Sequence, residues 1–302
     1  MKRLFLGCAV AGLVAAPAVQ AQDGPAVFKP SSVWAADYGD DYCRLVRSFS
    51  DGKDEISLVL QRVQPGADTQ LMLVGNAIRA FRGATQLQWH FLPNDSERKS
   101  NYTRGETGDG QQYFRIEGVM FAPPAPPAPG AAPGALPPYD RAGDQAAGKA
   151  FTGLAVEGGL TEPVRIETGR LDSVIAALQT CTDDLITTWG LDAQKHKAMT
   201  APAILAPNPG GVLPQGTIPF GEFAKFAGGG NQVRLMLDAS GKPTACHIFS
   251  PTLSETLNGK ICELAMARAS FTPAKDADGQ AMTSYWMGSP MFLGPPFPGG
   301  GR

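Results

Sequence analysis

Leu87, Trp89 and Phe91 alternate with Gln86, Gln88 and His90. A two-residue alternation of apolar and polar side chains fits a strand with one face buried. The same period returns upstream, where Ile56, Leu58 and Leu60 alternate with Ser57, Val59 and Gln61. Cys43, Leu45 and Phe49 share one face of residues 42–49, interrupted by Arg47. Asp51-Gly52 stands between these two runs, as a hairpin turn requires. Residues 70–74 form another apolar run, Asp109-Gly110 turns into a strand over 112–120, and residues 164–167 read as a short strand. The period then changes. Leu171, Val174, Ile175, Leu178, Cys181, Leu185 and Trp189 keep spacings of three and four, the stripe of one amphipathic helix, and Gly190 follows where a helix end favours a left-handed residue. These signals predict a β-rich N-terminal domain over 27–191 with one packed helix.

Two stretches carry no period. Residues 122–138 hold eight prolines in 17 positions, so they cannot pack a core and are expected to be extended. They fall between strands of one domain, which makes them an insertion. Residues 192–219 contain Pro202, Pro207, Pro209, Gly210, Gly211, Pro214 and Gly216 and are expected to be an interdomain linker.

Lys2 and Arg3 precede a 16-residue apolar stretch over 4–19, and Val19-Gln20-Ala21 has small residues at both ends. Residues 1–21 therefore read as a secretory signal peptide, and 16 residues fall short of the ~20 that a spanning helix needs. The mature chain is expected to begin at Gln22, to have no membrane span and to reside in the periplasm. Cleavage would remove Cys8 and leave Cys43, Cys181, Cys246 and Cys262. An even count in an oxidising compartment reads as two disulfides. Of the three possible connectivities, the domain division favours Cys43–Cys181 and Cys246–Cys262.

Charge is nearly balanced, with 26 Lys and Arg against 28 Asp and Glu. That argues against a nucleic-acid partner, which calls for a basic excess. No Cys-x-x-Cys occurs, and the three His residues (His90, His196 and His247) are scattered, so neither metal nor other cofactor is expected. No Gly-x-Ser-x-Gly, His-Glu-x-x-His or phosphate loop appears. Glu167-Thr168-Gly169 has Glu where the aspartic-protease pattern needs Asp, and it has no second copy. His90 lies on the polar face of its strand and reads as a solvated side chain. No catalytic residue is assigned, and the chain is expected not to be an enzyme.

After the linker, Val233, Leu235 and Leu237 alternate with Arg234, Met236 and Asp238, and Ser240-Gly241 turns the chain. Thr244, Cys246 and Ile248 then alternate with Ala245, His247 and Phe249. Thr252 with Glu255 fits a capping box, opening a helix with Leu257, Ile261, Leu264 and Ala265 inward. Phe271-Thr272-Pro273-Ala274 closes it, and Asp278-Gly279 turns into a last strand over 280–292. The expected domain is 220–293, in the order β-β-α-β, with 294–302 as a flexible tail. The fold class is α+β.

Residues 233–244 (Val-Arg-Leu-Met-Leu-Asp-Ala-Ser-Gly-Lys-Pro-Thr), the spaced Ala and Leu of the helix, and residues 269–280 (Ala-Ser-Phe-Thr-Pro-Ala-Lys-Asp-Ala-Asp-Gly-Gln) resemble the C-terminal domain of the TonB family. The shared pattern is an alternating strand ending in Asp-x-x-Gly, a short helix, Phe-x-Pro-Ala, a Gly and a final strand. The Cys246 and Cys262 pair resembles an alphaproteobacterial subset. The resemblance covers about a quarter of the chain. It implies a module that binds envelope proteins, outer-membrane transporters among them, by adding a partner segment as a strand to the open sheet edge. Carried over, that edge is the last strand, with Ser284, Tyr285 and Trp286 as its outward groups. Two alternative readings stand beside it: an anchored TonB-type energy transducer for outer-membrane transport, and an exported enzyme whose site lies in the N-terminal domain, where acids such as Asp37, Asp40 and Asp41 would carry the chemistry.

Overall fold

The computed structural model describes residues 24–123, 139–208, 211–214, 216–217, 232–252 and 254–289. The expected signal peptide, residues 124–138 of the Pro-rich insertion, positions 209, 210, 215, 218 and 219 of the expected linker, 220–231 and 290–293 of the expected C-terminal domain and the tail 294–302 lie outside the described residues. The fold is mixed α and β and strand-rich.

Most of the N-terminal half is one sheet, formed by β1 (Ala26–Pro30), β2 (Ala35–Tyr38), β3 (Cys43–Ser50), β4 (Glu55–Arg62), β5 (Thr69–Val74), β6 (Gln86–Leu92), β7 (Arg98–Asn101), β8 (Thr103–Glu106), β9 (Gln112–Val119), β10 (Gly153–Gly158) and β11 (Val164–Ile166). Its order is β7-β6-β10-β11-β1-β3-β4-β5-β9-β8, with β2 paired to β3 off this path. Every pairing is antiparallel except β1 with β11. The two ends of the sheet, β7 and β8, are separated in sequence only by Tyr102. The chain therefore leaves one end and enters the other, and the sheet curls into a near-barrel. The β3–β4 turn forms as its residues dictate. Asp51 Oδ1 accepts from the Lys53 and Asp54 amides, and Gly52 takes φ 94°.

The alternating residues meet inside. Leu45, Phe49, Ile56, Leu58, Leu60, Leu87, Trp89, Phe91 and Phe114 are buried in one core. The helix α2 (Asp172–Thr188) lays Val174, Ile175, Leu178, Cys181 and Leu185 on it. Gly190, at φ 80°, ends the helix and donates to the Thr187 carbonyl. Cys43 is bonded to Cys181 across a separation of 138 residues. On the chain-entropy account a loop that long gains about 4–5 kcal/mol from closure.

The domain holds more helix than its sequence pattern shows. Before α2 comes α1 (Arg141–Ala150), whose buried residues are Asp144 and Gly148. A polar group and a glycine make no apolar stripe, so the periodicity is silent there. Gly148 is required by close approach. A Cβ there would sit 2.4 Å from Ile175 Cδ1 and 3.1 Å from the backbone at Leu171 and Asp172.

Asp144 belongs to a buried polar network. Arg62 continues the inward parity of β4, and its side chain has 0% exposure. It donates to Asp144 Oδ2 at 2.8 Å, Tyr139 Oη at 2.6 Å and Thr69 Oγ1 at 2.8 Å. Asp144 also accepts from Tyr139 Oη and the Ala122 amide, while Gln179 Nε2 donates to Tyr139 Oη. Ala122 and Tyr139 flank residues 124–138, so the network ties both sides of the insertion to β4 and α2. Burial pushes the Tyr139 hydroxyl up, so it stays protonated and can donate.

The remaining elements are α3 (Ala193–Lys197), β12 (Ile204–Leu205), β13 (Val233–Leu237), β14 (Pro243–Ile248), α4 (Glu255–Arg268), β15 (Phe271–Thr272), β16 (Ala274–Lys275), β17 (Ala281–Met282) and β18 (Ser284–Gly288). Three strands form a sheet in the order β14-β13-β18. Val233, Leu235 and Leu237 of β13 pack with Leu257, Ile261 and Ala265 of α4, and Cys246 is bonded to Cys262.

Three expectations need correction here. The helix cap is Ser254, whose hydroxyl accepts from the Leu257 amide; Thr252 instead bonds Asn258. The last strand is broken, with β17 pairing β16 and β18 pairing β13. The segment expected as a linker is partly domain: β12 pairs β15, and Ala203, Val212 and Leu213 lie in the C-terminal core. A two-residue strand flanked by prolines is too short to show a period.

Two outcomes follow. Asp144→Ala leaves the Arg62 guanidinium buried without its counter-charge and should cost about 3–5 kcal/mol in urea unfolding; a loss below about 1 kcal/mol would refute the network's role. Cys43 and Cys181 are buried, whereas Cys246 and Cys262 are half-exposed. Mild thiol treatment of the native protein should therefore open Cys246–Cys262 first, read by alkylation and peptide mapping.

Candidate functional site: an edge strand at a domain junction

The register of β18 on β13 places Ser284 opposite Leu237, Tyr285 opposite Met236, Trp286 opposite Leu235 and Met287 opposite Arg234. Residues directly opposite share a face. Ser284 and Trp286 therefore point toward α4, and Tyr285 and Met287 point the other way. This corrects the expectation that Ser284, Tyr285 and Trp286 form an outward group. Ser284 is 2% exposed, and among the described residues its hydroxyl has no hydrogen-bond partner. Trp286 packs against Phe271, with ring centroids 5.7 Å apart. Tyr285 meets Trp189 edge-on at 5.1 Å and stacks with His196 at 5.9 Å. Burial pushes the Tyr285 hydroxyl well above its ordinary range. What β18 leaves open is lateral: among the described residues it pairs only with β13.

The two edges of this sheet differ in kind. β14 begins at Pro243, has a register irregularity opposite Met236 and Leu237, and is cross-linked to α4 through Cys246. β18 reads Ser-Tyr-Trp-Met-Gly, without a charge or a proline, and keeps one register along its whole length.

The turn after β13 also reaches the segment after α4. Asp238 Oδ1 accepts from the Ser240 and Lys242 amides, and Gly241 stands at φ 83°. Phe271 donates its amide to the Gly241 carbonyl at 3.1 Å. A Cβ on Gly241 would lie 2.1 Å from the Phe271 carbonyl oxygen, so only glycine fits.

The face of the sheet opposite α4 meets the N-terminal domain. Asp41, in the β2–β3 turn, accepts from Arg234 Nη1 at 2.6 Å and from His247 Nε2 at 2.8 Å. The Arg234 guanidinium lies 4.1 Å from the Trp189 ring centroid. Trp189 Nε1 donates to the Asp40 carbonyl at 3.4 Å. Burial acts to raise the Asp41 carboxyl, but the hydrogen bonds and charges of His247 and Arg234 outweigh it and hold the group below the usual carboxylate value. Burial pushes the His196 imidazole down, and its Nδ1 donates to the Asp192 carbonyl.

The three acids considered for chemistry are thus divided. Asp37 pairs with Arg44 at 3.2 Å on the surface, Asp40 supplies a carbonyl, and Asp41 joins the junction. Thr168 of the protease-like triplet is buried and bonds the Gly169 carbonyl. His90 is half-buried, with Nδ1 sealed from solvent, not a fully solvated side chain. An open cleft lined by Ser100, Asn101, Tyr102, Thr103, Arg115 and Glu117 lies where β7 runs into β8, and Arg115 pairs with Glu117 there at 3.3 Å. No group of three or more His, Cys, Asp or Glu side chains suited to a metal occurs among the described residues.

Sequence reasoning missed the junction. Arg234 and Asp41 are 193 positions apart, and local pattern carries no information over that distance. No protein-family model matches this chain, and no curated protein or solved structure matches it either.

The Asp41 pairs set a pH test. Because its folded pKa lies below the ordinary aspartate value of about 3.9, the carboxylate stabilises the fold above that pH, and this contribution is lost as pH falls through the folded pKa. The stability gap between wild type and Asp41→Asn should accordingly shrink from pH 7 toward strongly acid solution. A gap independent of pH would mean that the charge on Asp41 contributes nothing.

Proposed function

We propose that this chain is an exported, periplasmic protein whose C-terminal module binds envelope proteins by accepting an extended segment as a new strand beside β18. The observation that carries this reading is the edge of β18, which no described strand covers. Natural sheets blunt their free edges with charge, proline, bulges or cover, because an open row of amides and carbonyls templates pairing. β14 has such devices, and β18 has none of the first three within its span. An edge left ready to pair suits a module that works by pairing.

The TonB resemblance supports the same reading. Its Asp-x-x-Gly and Phe-x-Pro-Ala elements, at 238–241 and 271–274, meet through the Phe271 amide and the Gly241 carbonyl. The strand, strand, helix, strand order and the edge position of β18 are compatible with the family's mode of capture. Two disulfides suit an oxidising compartment. No helix among the described residues is long and apolar enough to cross a membrane.

The test is a proline scan of 284–288 against peptides tiling the periplasm-facing N-terminal segments of outer-membrane transporters, read by fluorescence anisotropy. Amides along a strand alternate between the ladder and the free edge. Proline at one parity should remove ladder donors and unfold the C-terminal domain. At the other parity it should leave the fold intact and abolish capture. Met287→Ala should reduce capture far less, because main-chain bonds supply the affinity. Failure of every tiled peptide to bind, or capture that survives proline at both parities, would overturn the proposal.

A further inference from the structure

The C-terminal sheet is held on both faces. α4 covers one, and the N-terminal domain grips the other from two places remote in sequence. One place is the β2–β3 turn, where Asp41 accepts from Arg234 and His247. The other is the end of α2 with α3, where Trp189 lies against Arg234 and Tyr285, and His196 stacks on the same tyrosine ring. Two links join these places. Cys43, two residues after Asp41, is bonded to Cys181 of α2, and Trp189 Nε1 donates to the Asp40 carbonyl. The turn and the helix end are therefore two jaws of one socket. The residues it grips, Arg234 and Tyr285, belong to the adjacent strands β13 and β18.

The grip on Tyr285 matters most for β18. A five-residue strand with a single neighbour among the described residues is the kind of element that opens locally at low free-energy cost. Trp286 anchors it on the α4 side against Phe271, while the Trp189 and His196 contacts with Tyr285 anchor the opposite face. An edge that must accept a strand binds better if its amides are already aligned, since ordering them during encounter subtracts from affinity. Resting on the strand-capture reading above, we propose that the N-terminal domain is the positioning element of the binding edge. Its socket, with jaws joined by Cys43–Cys181, holds β18 flat and ready to pair. The coupling runs both ways. A strand added to β18 tightens the junction, and a loosened junction weakens capture.

Hydrogen exchange read by mass spectrometry on the full chain tests this without any partner, comparing wild type with Trp189→Ala and Asp41→Asn. Trp189→Ala should speed exchange in β18 by about tenfold or more, the scale of losing an aromatic pair and a cation–π contact. Asp41→Asn should speed it less, and exchange in α4 and β4 should stay at the wild-type rate in both. Unchanged β18 exchange in both variants would overturn the proposal. If Trp189→Ala also speeds β4, the N-terminal core has loosened, and Asp41→Asn, which leaves both apolar cores intact, decides alone. The same transporter peptides separate the two claims. If none binds wild type, the capture reading falls and exchange still decides the socket. If they bind both variants as tightly as wild type, the socket proposal falls and capture stands.

Discussion

Cys43 opens β3 and Cys181 lies midway along α2, so the bond between them staples the helix to the sheet and closes a span of 138 residues. Most of the N-terminal domain's strands and its first helix lie within that span. The bond places α2 on the inward face of β3 and β4, where its apolar stripe finds a core. It also sets the end of α2 beside the β2–β3 turn, which brings Trp189 to the Asp40 carbonyl and leaves Asp41 free to meet Arg234. A covalent constraint deep in one domain thereby shapes the surface on which the other domain rests. The junction and the setting of β18 depend on it.

Polar groups in the interior are treated in two ways. The buried Arg62 guanidinium meets a carboxylate, a phenol and a hydroxyl, so the cost of removing its charge from water is offset by directed bonds. This is possible because α1 presents Asp144 where most helices would present Leu, and because Gly148 lets α1 approach α2 closely. The price of that arrangement is a helix without an apolar face of its own, held by its neighbours. Ser284 is the opposite case, a buried hydroxyl at the start of β18 with no partner among the described residues. An unsatisfied group there costs free energy, and the strand depends on the ring contacts of Tyr285 and Trp286 to stay in place.

These features bear on function through the edges of the small sheet. On β14 the ladder begins at proline, slips in register and is tied to α4; on β18 it runs evenly, with no second strand beside it among the described residues. Tyr285 and Trp286 of β18 are engaged on opposite faces, so under the strand-capture proposal recognition at this strand would fall to its backbone.

Much of the architecture was legible from local pattern. Period two marked β3, β4, β6, β13 and β14, spacings of three and four marked α2, and Asp-Gly or Ser-Gly pairs marked the turns, because a side chain's direction along a strand or helix is set by its position in the chain. The cysteine pairing followed from which elements shared a domain. What pattern could not reach was the helix α1, whose buried residues are polar or glycine, the short strand β12, the side-chain directions in β18, and the junction of Asp41 with Arg234 and His247. The reason is physical. Alternation states that a residue faces one side or the other, but which side is buried, and against what, is decided by the element that packs there. For β18 both faces are engaged, one through Trp286 against Phe271 and one through Tyr285 against Trp189 and His196, which lie about 90 to 100 positions away in the chain, so only the tertiary structure could assign its faces.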